Sequence, residues 1–362
     1  MKKLICLCLC ITLFSCQDRK NLLNLLFPST IMIDYDDEQF TVVLQIDNLN
    51  TLAKKEVETS SEDAKLLVAI GKGKSIEEAI LDIEENQRSV VNLSHIKSII
   101  LKPNTIQRDV LKEICNYASY NQELRMDSEV YYTTSPIEDL FSTSFQLSRS
   151  QLYILINSSE FKQEALSMYT TNLMQLTKFT DEKNVTIQIP ILDIIESKDI
   201  YIKQDKTASQ KVFDINQILF LNNQQITILN IDDLNGIHWT KSNKNNIELS
   251  IENELSAYSS RVTIFLYYSI KDQKYHLKGQ VNMVVTRDSK FRTLKELEPL
   301  IKQKVHDQIM HTYLIGIQNN VDVYNLQYLS HIANQDTPAT EKNFINEIDV
   351  KIHLKGSYVG SY

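Results

Sequence analysis

The chain has 362 residues, 43% of them hydrophobic, with 38 basic and 46 acidic side chains and a formal net charge of −8. That length exceeds one small core and predicts two or three domains, while the acidic balance argues against a nucleic-acid binder. Only seven residues are glycine, about 2% where about 7% is usual, so glycine-rich catalytic loops are not expected.

Residues 1–15 read as a signal peptide. Lys2 and Lys3 form a basic start, and the apolar run 4–14 is too short to cross a bilayer. Leu13-Phe14-Ser15-Cys16 has the form of a bacterial lipobox, in which the Cys16 thiol takes a diacylglyceryl group and the chain is cut just before it. Cys16 is therefore the expected lipid-attachment site. A plain secretory cut and an uncut anchor are the alternatives. Four of the five cysteines crowd this stretch, and a chain cut here keeps Cys115 as its one free thiol besides Cys16. No later segment reaches the roughly 18 apolar residues of a spanning helix.

Beyond the leader, residues 31–34 and 40–46 read as two strands around the acidic turn Asp36-Asp37-Glu38, and residues 50–63 as a charged loop. The next stretch, LVAIGKGKSIEEAI, invites a nucleotide reading. A phosphate loop needs a first glycine five positions before Gly73, and Val68 stands there. The segment reads instead as a strand over 66–70, a turn whose glycines supply positive φ, and a helix to about Arg88. Ser75 and Glu78 fit a capping box, and Ile76, Ala79, Ile80 and Ile83 recur at helical spacing.

Residues 95–101 predict a buried strand ended by Pro103, 106–120 a helix, 126–133 a strand, and 136–141 a short helix. A long helix is expected over 159–178, with Phe161, Ala165, Met168 and Leu176 on one side. From Val185 the pattern alternates, and strands are expected near 185–189, 247–251, 262–270 and 275–285. Leu294, Leu297, Ile301, Val305, Ile309 and Thr312 then mark one strong helix over 294–318, and residues 349–354 a last strand. This order predicts an α+β, multi-domain protein with mixed or antiparallel sheets flanked by helices. The expected division is a signal peptide 1–15, an N-terminal α+β region 16–180, a strand-rich middle 181–245, and a C-terminal α+β domain 246–362 carrying the helix 294–318.

No catalytic constellation emerges. No G-x-S-x-G elbow and no H-E-x-x-H occurs. His306 and His311 are five apart and fall on different helix faces, so a metal pair is not expected, and His95 reads as a strand-end residue. Cys115 lies among Val110, Leu111, Ile114 and Ala118 and reads as a small core hydrophobe. No catalytic, cofactor-binding or metal-binding residue is expected, and neither nucleotide nor nucleic acid as a ligand. Tyrosine (17) outnumbers phenylalanine (12), a composition suited to interfaces.

Several segments in order resemble one family. The start CQDRKNLLNLL, Gly73-Lys-Ser-Ile-Glu-Glu-Ala79, Arg88 through His95-Ile-Lys to Ile99-Ile100, Arg108-Asp109 to Tyr131, Leu297-Glu-Pro-Leu-Ile-Lys-Gln-Lys-Val, Gln318 with Asp322-Val323, and Lys355-Gly356 are similar to the Ger(x)C lipoproteins, the C subunits of spore germinant receptors. The resemblance implies three α+β domains and a non-enzymatic role. It also implies membrane attachment through a diacylglyceryl anchor on Cys16, at the outer face of the spore inner membrane beside germinant receptor A and B subunits. The alternative is a substrate-binding lipoprotein of a membrane transporter, which would show two α/β lobes. A surface hydrolase is disfavoured by the lack of a nucleophile motif.

Overall fold

The computed structural model describes residues 24–46, 67–142, 171–197, 201–202, 206–207, 210–222, 225–240, 247–252, 254–336 and 348–356. Cys16, the loop 50–63 and residues 159–170 of the expected long helix lie outside them. The fold is α+β.

Strands β1 (Pro28–Asp36) and β2 (Gln39–Ile46) form a hairpin closed by Asp37 and Glu38, with φ of 49° and 58°. Two acidic residues at positive φ are the chemistry a two-residue hairpin turn accepts. β3 (Leu67–Gly73) pairs antiparallel with β2, while β4 (Ser98–Leu101) and β5 (Glu129–Tyr132) extend the sheet in parallel on the other side of β1. β6 (Ile187–Ser197), β7 (Gln210–Asn222) and β8 (Gln225–Asn230) complete it in the order β8-β7-β6-β5-β4-β1-β2-β3, with the pair Thr171–Asn172 beside β5. The strands of the 181–245 stretch are thus hydrogen-bonded into the sheet that the first 132 residues begin.

Both faces of the central strands are apolar, as a sheet with parallel strands requires. Ile31, Ile33, Val42, Leu44, Ile99 and Leu101 face a large core, and Met32, Val43 and Ile100 alternate with them on the opposite face beside Leu140. The large core is covered by α1 (Ile76–Gln87), α2 (Arg108–Tyr120) and α4 (Leu173–Phe179), and the short α3 (Ile137–Ser142) contributes Leu140 to the other. The apolar stripe read on α1 is the buried one: Ile76, Ala79, Ile80 and Ile83. Cys115 is buried on α2, where burial pushes its thiol up and Thr180 Oγ1 lies 3.4 Å away.

Two local expectations are corrected. The glycines of the GKGKS segment do not form a positive-φ turn; β3 runs through both of them. A Cβ on Gly71 would overlap the Ala79 carbonyl oxygen and stand 2.7 Å from Ile83 Cγ1, and one on Gly73 would stand 2.5 Å from Ala79 N. Glycine is there because α1 lies directly on the strand. The expected long helix 159–178 is also interrupted. Thr171 and Asn172 are extended and pair with β5, and α4 begins at Leu173 behind a capping box made by Asn172 and Gln175.

The second sheet, β9 (Glu248–Ile251), β10 (Leu255–Ser269), β11 (Lys274–Asp288) and β12 (Ile348–Gly356), is antiparallel except for its last pair. It shares a core with α6 (Leu294–Gln318), which occupies the span read from sequence and buries Leu297, Ile301, Val305, Ile309 and Thr312. A Thr293–Glu296 capping box starts it. α5 (Asn235–Thr240) crosses α6 at Gly236, where a Cβ would meet the Gln308 carbonyl oxygen at 2.5 Å. Trp239, fully buried, donates its indole N–H to Gln308 Oε1 at 2.8 Å. α7 (Leu326–Ile332) follows α6.

β7 belongs to both cores. Its Leu219 and Leu221 point into the first, and Ile218 and Phe220 into the second.

Candidate functional site

Three places could carry chemistry, and each can be judged by where its polar atoms go. The first is the GKGKS segment. Its backbone amides are already taken: Lys72 N–H donates to Asp82 Oδ2 at 2.9 Å, Lys74 N–H to Glu78 Oε2 at 2.8 Å, and Glu78 N–H to Ser75 Oγ at 3.2 Å. A phosphate would find carboxylates where it needs donors. The cap itself departs from the reading in one detail, since Glu78 reaches the Lys74 amide rather than that of Ser75.

The second place is the carboxyl end of the parallel strands, where open α/β sheets hold ligands. Sequence reasoning singled out none of its residues, because no local motif joins them. Lys102, at the end of β4, is nearly buried and donates to the carbonyl oxygens of Ser135 (2.7 Å) and Thr134 (3.3 Å). Burial lowers the affinity of its amine for a proton, and Asp34 and Glu138 oppose that. Thr133 Oγ1 donates to the Leu192 carbonyl at 2.6 Å and accepts from Ser135 N. Asp193 and Asp214 stand opposite each other on β6 and β7, and burial first, then Asp214, raises the Asp193 carboxyl. These bonds of Lys102 and Thr133 hold the chain after β5 in place. Lys102 acts as a clamp on it.

The third place is the joint between the two cores. Asn325, at φ 56°, accepts from Thr186 N–H at 2.6 Å through Oδ1 and donates to the Thr186 carbonyl at 3.0 Å through Nδ2. Gln188 Nε2 donates to the Val323 carbonyl at 2.9 Å, and Phe179 meets Tyr328 edge-on at 6.0 Å. Asp322, buried just before, accepts the Gln327 amide at 2.7 Å; burial pushes its carboxyl up and the surrounding backbone amides oppose this. These side-chain amides imitate strand pairing across the joint, which favours a fixed arrangement. A small cleft nearby, lined by Ile106, Arg108, Leu111, Phe179 and Leu221, has about 30 Å³ of space, room for about one water.

His95 lies tilted against Phe27 with ring centroids 5.0 Å apart, His311 lies near Asp233 at 3.5 Å, and His306 near Asp307 at 3.4 Å. No group of three or more His, Cys, Asp or Glu side chains among the described residues could hold a metal ion. No helix among them is long and apolar enough to cross a membrane. Cys16 lies outside the described residues.

Comparison with known proteins bears on function. Residues 18–194 match the family model described as spore germination protein N-terminal domain. This match supports membership of the Ger(x)C family of spore germination proteins. No curated protein matches it. A crystal structure of the GerBC protein is similar over 90% of this chain and 96% of that one, at 12% identity and a TM-score of 0.46. The family match ends inside β6, so it takes in every strand of the first sheet except β7 and β8 and does not reach the second sheet.

Proposed function

We propose that the chain is the lipid-anchored, non-enzymatic C subunit of a nutrient germinant receptor, held by a diacylglyceryl group on Cys16 at the outer face of the spore inner membrane. The observation that carries this reading is the spore germination match over residues 18–194, which begins two residues after the lipobox cysteine. Two further features support it. The polar groups of the three places above are committed to holding the fold, as suits a coupling part more than a catalyst. A chain held by acyl chains alone also has no route for a signal across a bilayer, so it must act through proteins that span it. Those would be the receptor A and B subunits. We further propose that 16–180, 181–245 and 246–362 are the working divisions of the body.

Two acyl chains bury many methylenes at about 0.8 kcal/mol each, enough for stable attachment without a spanning helix. Cys16→Ala is expected to leave the body folded and release it from membranes; a variant that stays fully membrane-bound in the absence of partner subunits would sink the anchor. Deleting the chain should abolish one nutrient response while germination by agents that bypass receptors continues. Should every nutrient response survive the deletion, the receptor reading fails.

A further inference from the structure

The two sheets end in four edge strands, and three of them are protected. β3 carries Lys72, has that residue's amide capped by Asp82, and lies under α1. β9 has only four residues and carries Glu248. β12 carries the exposed Lys351 and Lys355. Short length, charge and a covering helix are the devices by which sheets avoid unwanted pairing.

β8 has none of them. Its sequence is QITILN, with no charge and no proline, and its pairing with β7 runs through six residues without a bulge. Ile226 and Ile228 are 46% and 45% exposed on one face. Two residues separate Asn222 from Gln225 in the hairpin, so Asn222–Gln225, Phe220–Thr227 and Ile218–Leu229 are the doubly bonded pairs. The amides of Ile226, Ile228 and Asn230 and the carbonyls of Ile226 and Ile228 therefore point off the sheet, and among the described residues no strand pairs with them; the Asn230 carbonyl starts the 3-10 turn over Ile231–Leu234.

We propose that β8 is a docking edge that takes one extended, uncharged strand of a partner polypeptide, with branched aliphatic side chains at alternate positions. Main-chain hydrogen bonds to residues 226, 228 and 230 would supply affinity, and same-face side chains would cover Ile226 and Ile228. A second folded copy is the less suitable occupant. Stable interfaces between folded bodies bury about 1,200 Å² or more in total, which six edge residues alone do not supply, whereas an extended segment needs little else. Neutrality of the edge calls for a neutral strand. The proposal deepens the receptor reading and rests on it only for which polypeptide supplies the strand.

The test uses the full chain and a labelled hexapeptide of alternating threonine and isoleucine flanked by lysines. The probe should bind and slow exchange of the Ile226 and Ile228 amides on the order of 100-fold, while Thr227 and Leu229, already bonded to β7, change little. Ile228→Pro removes an outward donor and leaves the β7 ladder intact, and Ile226→Lys adds an edge charge. Each should keep the wild-type circular dichroism and weaken probe binding at least about tenfold, the loss of roughly 1.4 kcal/mol. Probe binding that is absent, or equal in both variants, overturns the proposal. So does protection of residues 226 and 228 in the chain alone, whether at all concentrations, which means the chain covers its own edge, or only at high concentration, which means a second copy does. In gently solubilised receptor, Ile228→Pro should lose partners that wild type retains. Should wild type recover no partner either, the receptor reading fails and the peptide measurement decides the edge by itself.

Discussion

Gly71 and Gly73 show how a residue's role depends on what lies over it. In sequence they look like hinge points of a loop. In the fold they are flat places on β3 where α1 rests, with Ala79 and Glu78 backbone atoms filling the room a side chain would take. Gly71→Ala should therefore destabilise by about 1–3 kcal/mol through overpacking, read from chemical denaturation; an unchanged midpoint would show that the helix can ride outward at no cost. Asp288 gives the pH counterpart. Its side chain is fully buried and takes Arg292 Nη2 at 2.7 Å and the Lys290 amide at 3.2 Å. The Arg292 guanidinium holds its carboxyl below the usual value of 3.8. A depressed folded value means that the contribution is present above pH 3.8 and is lost as pH falls through the folded value. Asp288→Asn should lower stability at neutral pH and make the acid limb of a stability–pH curve shallower. A variant with the same acid limb as wild type would remove Asp288 from the account.

Elements were legible where one periodicity ran without interruption. α6 was readable over its whole length because Leu297, Ile301, Val305 and Ile309 keep one face for the core. α4 was not, because apolar spacing continued past a break that a polar residue makes. Asn172 and Gln175 form a reciprocal cap there, and the N-x-x-Q spacing was the available signal. The start of α1 was legible except for the reach of Glu78. Since Ser75 still serves Glu78 N–H, Ser75→Ala should cost about 0.5–2 kcal/mol, measurable by thermal unfolding. If instead it abolished a nucleotide-binding heat seen by calorimetry in wild type, the cap would have to be read as a phosphate site after all. What no element could disclose was its neighbours. β10 and β11 alternate as expected, but β7 is apolar on both sides, and its hydrogen bonds to the first sheet could not be read from the sequence. For the same reason the Lys102 clamp and the bare edge of β8 were invisible before the fold was known.

At the scale of the whole molecule, the two cores share β7, and Asn325 and Gln188 tie the second to the first sheet. Loss of either core would leave half the side chains of that strand unburied. The body is therefore expected to melt in one calorimetric transition, with calorimetric and van't Hoff enthalpies in agreement; two resolved transitions would show that the cores are independent. A one-piece body also suits a coupling subunit, because displacement at one end is not absorbed at a soft boundary.

The run Ile218-Leu219-Phe220-Leu221 is greasy on both sides. Sliding it by one position would exchange one large aliphatic or aromatic group for another in each core, so hydrophobicity says little about which way the strand should face. The alignment is written instead in the amides that flank it, Gln217 bonded to Asn230 and Asn222 to Thr186. In this chain the apolar residues say that the halves must be joined, and a few uncharged polar ones say in what phase.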